Sequence, residues 1–320
     1  MGFSGGGLYS TLYEMSTLAH AFLDRTLLPE STLFGWMKPN SFTSTLQTVV
    51  GMPWEIYRAW DLTPKYPQIH DIYSKGGSSF SYSCKLSFFD QYGTAVLIMT
   101  AGDALSRGII FDTVVSVLVP MLEEETRAQA QKNYAKWFET PSTSNSSWSG
   151  TGSWNASTNW NASTHSNSTD YVRLKISLDK GPGLLLQNLT RGNYDIVAAL
   201  PEIYQTTFAD FLAQPIVFNG PQRLYPTEIR TTETDKTGRK VIKEDWRIKF
   251  APVFDTKRWN GTDLPGRGQT SDECSTWLDS DWIHYGGQPM ERVVFVKDAA
   301  SGEVIGAELP WLRANLKASQ

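Results

Sequence analysis

The sequence predicts an α+β chain in two parts: antiparallel strands closed by a long terminal helix, then an all-β sandwich or barrel-like domain. Three observations carry this. Between residues 70 and 100, three apolar runs of strand length stand close together, and the apolar stretch Gly108–Leu122 follows them. Residues 140–170 are dominated by Ser, Thr, Asn, Gly and Trp, a composition that builds linkers rather than cores. From residue 171 the apolar positions alternate, as in Tyr171-Val172-Arg173-Leu174-Lys175-Ile176-Ser177-Leu178. The expected division is a partial domain over 1–138, a linker over 139–170 and a β-rich domain over 171–320.

Thr11-Leu12-Tyr13-Glu14 has the form of a capping box, and Met15, Leu18, Ala19, Phe22 and Leu23 follow at helical spacing. Residues 29–70 contain five prolines and read mostly as ordered loop. Strands are expected at 70–77, 79–89 and 94–100, with turns at Gly76-Gly77-Ser78 and Asp90-Gln91-Tyr92-Gly93. Asp103 can N-cap a helix to Val119, Pro120 kinks or restarts it, and 121–138 reads as a more exposed helix. In the linker Trp148, Trp154 and Trp160 recur every six residues. A sugar-binding aromatic stripe is one reading; an expanded, glycosylated low-complexity segment is the one preferred. Turns at Asp235-Lys236-Thr237-Gly238 and Ala300-Ser301-Gly302 make the last domain antiparallel.

The chain has 320 residues, 40% of them apolar, enough for two cores. A net charge of −4 without a basic run argues against a nucleic-acid partner. The stretch Gly108–Leu122 is interrupted by Asp112 and too short for a membrane span. Asn-x-Ser/Thr occurs at Asn145, Asn155, Asn161, Asn167, Asn188 and Asn260, candidates for N-glycosylation and a sign of a secreted, extracellular parent. Met1–Gly6 has neither the basic nor the apolar segment of a signal peptide, so the expectation is a leader and further sequence upstream. Cys84 and Cys274 are an even pair, compatible equally with one disulfide and with two separate thiols. The four histidines (20, 70, 165 and 284) are dispersed, no Cys/His spacing suggests a zinc site, and no cofactor is expected.

Three catalytic strings are rejected on context. Gly2-Phe3-Ser4-Gly5-Gly6 matches a nucleophile elbow but has no strand before it. Ser177-Leu178-Asp179-Lys180 matches Ser-x-x-Lys, but in a segment of period two, which points the two side chains apart. Lys236-Thr237-Gly238 matches Lys-Thr-Gly at the tip of a charged hairpin.

Lys75-Gly76-Gly77 differs, because it stands at a strand end before an apolar hairpin and a long helix. A lysine there can hold a carboxylate or tune a proton-transfer network. Two bare residues let a substrate lie along the strand, with the Ser78 N–H toward a developing oxyanion. A Gly-Gly hairpin carrying an exposed lysine fits the same residues. His70 reads as a surface or structural histidine.

Five motifs in order, Gly6–Thr11 (GGLYST), Pro39–Ser44 (PNSFTS), Val50–Arg58 (VGMPWEIYR), Tyr73–Gly77 (YSKGG) and Thr100–Asp103 (TAGD), resemble the C-terminal half of a β-lactamase/transpeptidase-like domain. The relatives are the class C β-lactamases, D-Ala-D-Ala peptidases and family VIII esterases, in a fungal secreted branch with a β-rich C-terminal domain. Cys274–Trp277 (CSTW) and His284–Gly287 (HYGG) resemble the end of that domain. The resemblance implies ester or amide hydrolysis, or acyl transfer, through a serine acyl-enzyme. The family uses a Ser-x-x-Lys, a Tyr-x-Asn and a Lys-x-Gly strand. Only the last maps here, onto Lys75, Gly77 and, as oxyanion donor, the backbone N–H of Ser78. The expectation is a catalytically incomplete serine hydrolase fragment, inactive alone, whose parent takes a small ester or amide substrate. The alternative is a non-catalytic binding protein or decayed paralogue that uses its β-rich domain. Because the family's sheet draws on both chain ends, residues 72–100 are expected to lack neighbouring strands and to leave an open edge.

Overall fold

The structure is a computed structural model, and it describes residues 8–103, 105–141, 171–207, 216–218, 220–250, 252–254 and 280–319. It is α+β, with large antiparallel sheets and few helices. The chain forms two compact units, Met1–Ala128 with Lys180–Pro182, and Gln129–Asp179 with Gly183–Gln320. No helix among the described residues is long and apolar enough to cross a membrane.

The first unit contains α1 (Leu12–Leu23), α2 (Glu30–Trp36), β1 (Ser41–Phe42), β2 (Thr48–Val50), β3 (Glu55–Ala59), β4 (His70–Ser79), β5 (Tyr82–Phe89), β6 (Thr94–Ala101) and α3 (Ser106–Tyr134). The strands form one antiparallel sheet in chain order. At α1 the capping box forms: Thr11 Oγ1 accepts from the Glu14 N–H at 3.2 Å, and the Thr11 N–H donates to Glu14 Oε2 at 3.0 Å. The buried face of α1 is narrower than its periodicity suggests, since Leu18 is exposed and the contact is made by Ala19 and Phe22. Phe22 stacks on Phe88 at 4.4 Å beside Trp54. The other sheet face carries α3, where Phe111, Val115 and Val119, one helical stripe, cover Ile72, Phe89, Val96 and Ile98.

Four expectations change here. Residues 29–70 hold a helix and three strands, because short strands between prolines carry no alternation to read. Gly76, Gly77 and Ser78 are not a turn but mid-strand, opposite Lys85, Cys84 and Ser83; the turn falls at Phe80-Ser81, with Phe80 at φ 54°. β4 does have neighbours, β5 on one side from Tyr73 to Ser79 and β3 on the other from His70 to Ser74. The sheet nevertheless ends at β6, whose outer edge has no strand partner among the described residues. Helix α3 runs through Pro120 to Tyr134, and residues expected to continue it become a strand.

The second unit contains β7 (Trp137–Glu139), β8 (Val172–Ser177), β9 (Leu184–Arg191), β10 (Tyr194–Asp195), α4 (Ile196–Thr207), β11 (Ile216–Phe218), β12 (Arg223–Thr234), β13 (Lys240–Lys249), β14 (Pro252–Phe254), β15 (His284–Tyr285), β16 (Gln288–Pro289), β17 (Arg292–Asp298), β18 (Val304–Leu309) and β19 (Ala314–Ala318). The order β9-β12-β13-β17-β18-β19-β7-β8 returns to β9, which closes an eight-stranded antiparallel barrel. Closure removes the free edges that an open sheet would expose. Its interior is filled by Leu174, Leu189, Leu224, Val293, Phe295, Leu309 and Leu316, all fully buried. The strand that decides barrel over sandwich is β7, which joins β19 through Lys317↔Glu139 and β8 through Trp137↔Lys175. Sequence reading also missed α4, whose start is capped by Asp195 Oδ1 accepting from the Ala198 N–H at 3.0 Å.

Candidate functional site

The candidate residues lie on β4 in the first unit. Past Ser74 the β3 side of β4 has no strand partner among the described residues, so Lys75–Ser79 present one open backbone edge. Lys75 is half-exposed at the start of this edge. Its Nζ lies 2.7 Å from Glu55 Oε1 and 2.9 Å from the Gly76 carbonyl oxygen. An exposed pair of this kind contributes about 0–1 kcal/mol, so the ammonium can exchange Glu55 for another anion at small cost.

The two glycines are bare for different reasons. A β-carbon at Gly76 would stand 3.2 Å from Arg107 Nη1, and one at Gly77 would stand 3.2 Å from Cys84 Sγ. Ser78 Oγ lies 2.8 Å from Ser83 Oγ. From the first turn of α3, Arg107 Nη1 donates to the Cys84 carbonyl at 3.1 Å, Ser78 Oγ at 3.3 Å and the Gly77 carbonyl at 3.4 Å. Arg107 thus clamps both strands where β4 loses its other neighbour.

Beside Arg107, Lys85 Nζ sits 3.7 Å from the Phe111 ring centre and 4.7 Å from that of Tyr57. Burial, helped by the Arg107 charge, lowers the affinity of Lys85 for its proton. Burial and Glu55 push the Tyr57 phenol up, with Arg107 and Lys75 opposing. Sequence reading missed Glu55, Arg107 and Lys85. Lys85 alone carried a signal, a cation inside an apolar strand; Glu55 and Arg107 reach the site only through the register of β3 and the start of α3.

The rejected strings and remaining candidates have definite places. Ser177 ends strand β8 of the barrel, so no helical turn brings it to Lys180. Lys236-Thr237-Gly238 caps the β12–β13 hairpin, where Asp235 Oδ1 accepts from the Thr237 N–H at 2.8 Å. His70 is structural: buried, with Nε2 2.8 Å from Thr63 Oγ1 and Nδ1 2.6 Å from Gln91 Nε2. Asn188 is half-buried in β9 opposite Lys175. Ser4, Asn145, Asn155, Asn161, Asn167, Asn260 and Cys274 lie outside the described residues, and Cys84 is a free thiol. No group of three His, Cys, Asp or Glu among the described residues could hold a metal ion.

Comparison with known proteins defines the class of this chain. Residues 126–320 match the family model described as Beta-lactamase-like-like, C-terminal domain. The chain belongs to this β-lactamase-related family. It is 35% identical to a Beta-lactamase-like protein of Arthroderma benhamiae, over 98% of this chain and 49% of that protein. It is 24% identical to a probable hydrolase of Phoma sp., over 95% of this chain and 44% of that protein, and 24% identical to a probable hydrolase of Cochliobolus lunatus, over 95% and 42%. The chain therefore spans about half the length of these relatives. No solved structure matches it.

Proposed function

We propose that this chain is the C-terminal part of a β-lactamase-related serine hydrolase and supplies one wall of its active site. The observation that carries the reading is the open edge of β4 at Lys75–Ser79, with a cation at its head and two residues without side chains behind it. A substrate chain or acyl group lying along that edge meets backbone donors and acceptors instead of side chains. Lys75 exchanges Glu55 for a substrate carboxylate or for the proton-transfer network of the nucleophile. The Ser78 N–H is the oxyanion donor in this reading. The nucleophile belongs to a Ser-x-x-Lys, and a phenol relay to a Tyr-x-Asn, in the portion that the longer relatives have beyond this chain. The hydrolase names of two relatives and the family membership support the reaction class.

The test is twofold. The transcript upstream of Met1 is sequenced, with an in-frame Ser-x-x-Lys and Tyr-x-Asn expected behind a signal peptide. The longer product and the present chain are then treated with a fluorophosphonate and a chromogenic short-chain ester. Labelling and turnover are expected in the longer product alone, on the serine of Ser-x-x-Lys, and Lys75→Ala is expected to lower turnover at least 10²-fold. Labelling of Ser4 or Ser177 in the present chain would overturn the proposal.

A further inference from the structure

The second unit has a cavity of about 800 Å³ at one end of the barrel, within the size range of small-molecule sites. The interior is already filled with side chains, so this cavity is a separate space at the barrel mouth. Its wall is built from the β9–β10 turn, α4, the β15–β16 hairpin and the turn Pro310–Leu312 between β18 and β19.

The lining is graded. Ile196, Ile283 and Met290 are buried, and Ile203 and Leu312 are packed against the core, which makes an apolar floor. Asn193, Tyr194, His284 and Tyr285 stand at the mouth, with Tyr194 and Tyr285 54% and 60% exposed. No Asp or Glu is among the described residues that line it. Trp311, in the same wall, has a buried indole N–H without an acceptor among the described residues. Apolar depth and a hydrogen-bonding mouth, with no anionic group among the described lining residues, select an amphipathic guest whose head group accepts hydrogen bonds.

We propose that this cavity is a binding site for a small molecule with a hydrocarbon body and a carbonyl or carboxyl head. The body lies on Ile196, Ile203, Ile283 and Met290, and the head meets Asn193, His284 and Tyr285. The site is independent of the hydrolase reading, because every residue in it belongs to the second unit.

The test uses the full chain and 11-(dansylamino)undecanoic acid. A single saturable site is expected, with enhanced, blue-shifted dansyl emission. Ile203→Trp and Leu312→Trp, which fill the floor, are expected to weaken binding at least tenfold. As a check that does not depend on how the variants fold, an aliphatic diazirine carboxylic acid is photolysed with the unchanged protein. Its adducts are expected within 191–207, 283–290 and 311–312, and to be lost when the dansyl acid is in excess. Absence of saturable binding, unchanged affinity in both folded variants, or adducts confined to residues 8–128 would each overturn the proposal.

Discussion

Gly77 and Cys84 face each other across β4 and β5, and a β-carbon on Gly77 would lie 3.2 Å from the Cys84 sulfur. That distance is tight, and the sulfur or the strand must shift by a few tenths of an ångström to admit a methyl group. The Cys84 sulfur therefore crowds any side chain at this point on the candidate site, independent of any substrate. The prediction concerns the coupling: Gly77→Ala should be more favourable in a Cys84→Ala background than in the original chain, by about 0.5–1 kcal/mol. Urea unfolding of the four proteins in the double-mutant cycle measures it, and a coupling of zero would mean that the sulfur does not restrict Gly77.

Arg107 ties α3 to both strands through three acceptors on Gly77, Ser78 and Cys84. Its guanidinium is half-buried, so solvent screens it in part. Arg107→Ala should destabilise the first unit by about 1 kcal/mol, and Arg107→Lys should recover only part, because all three contacts come from Nη1 and the shorter lysine side chain does not carry its ammonium that far. Peptide-resolved hydrogen exchange should show faster exchange over 75–86 in Arg107→Ala, and unchanged protection there would contradict the clamp.

Lys75 and Glu55 make an ion pair that is roughly half-exposed on each side. Lys75→Met should shift stability by no more than about 0.5 kcal/mol in chemical denaturation. A loss of about 2 kcal/mol or more would assign Lys75 to the fold and remove it from the candidate site.

Legibility followed periodicity. The capping box at Thr11, the cores of β4, β5 and β6, and the Phe111–Val115–Val119 stripe of α3 could be read because their patterns repeat locally. Gly76-Gly77-Ser78 misled for a physical reason: glycine pairs favour turns, and only the cross-strand register opposite Lys85, Cys84 and Ser83 shows them in mid-strand. β7 was invisible, since three residues after a long helix carry no period and Trp137-Phe138-Glu139 becomes a strand only by pairing with β8 and β19. The Glu55–Lys75 pair and the Arg107 clamp were illegible for the same reason, being separated by 20 residues or more in sequence.

Barrel closure should be visible in energetics. Leu316, on β19, is fully buried and lies in the strand that β7 links to β8. Leu316→Ala should cost about 3 kcal/mol. The expected signature in hydrogen exchange is a loss of protection in β18, β19 and β7 together, because the removed volume lies inside a closed ring. Loss confined to residues 314–318 would indicate a fraying strand rather than a closed barrel.

The two units should respond to acid in opposite directions. In the first, burial holds His70 below its ordinary pKa of 6.5, against weaker opposing pulls from Glu123 and Asp71. The unfolded chain then binds the proton that the native state refuses, so stability falls as pH drops below about 6.5. In the second, Glu291 is buried and its pKa is raised from 4.5 to about 7, chiefly by desolvation, while the Asp281 backbone N–H donates to its carboxylate at 2.6 Å and pulls the other way. Its native state keeps a proton that the unfolded chain has lost, so this contribution is full below pH 4.5 and declines as pH rises to about 7. Glu291→Gln keeps an oxygen for Asp281 and should stabilise the second unit by about 2 kcal/mol at pH 8 with little effect at pH 4. His70→Gln should flatten the acid slope of the first unit while leaving the second unchanged. Hydrogen exchange between pH 4 and 8, read separately on 86–98 and 293–309 after correction for intrinsic rates, distinguishes the two, and parallel slopes in the original chain would refute both assignments.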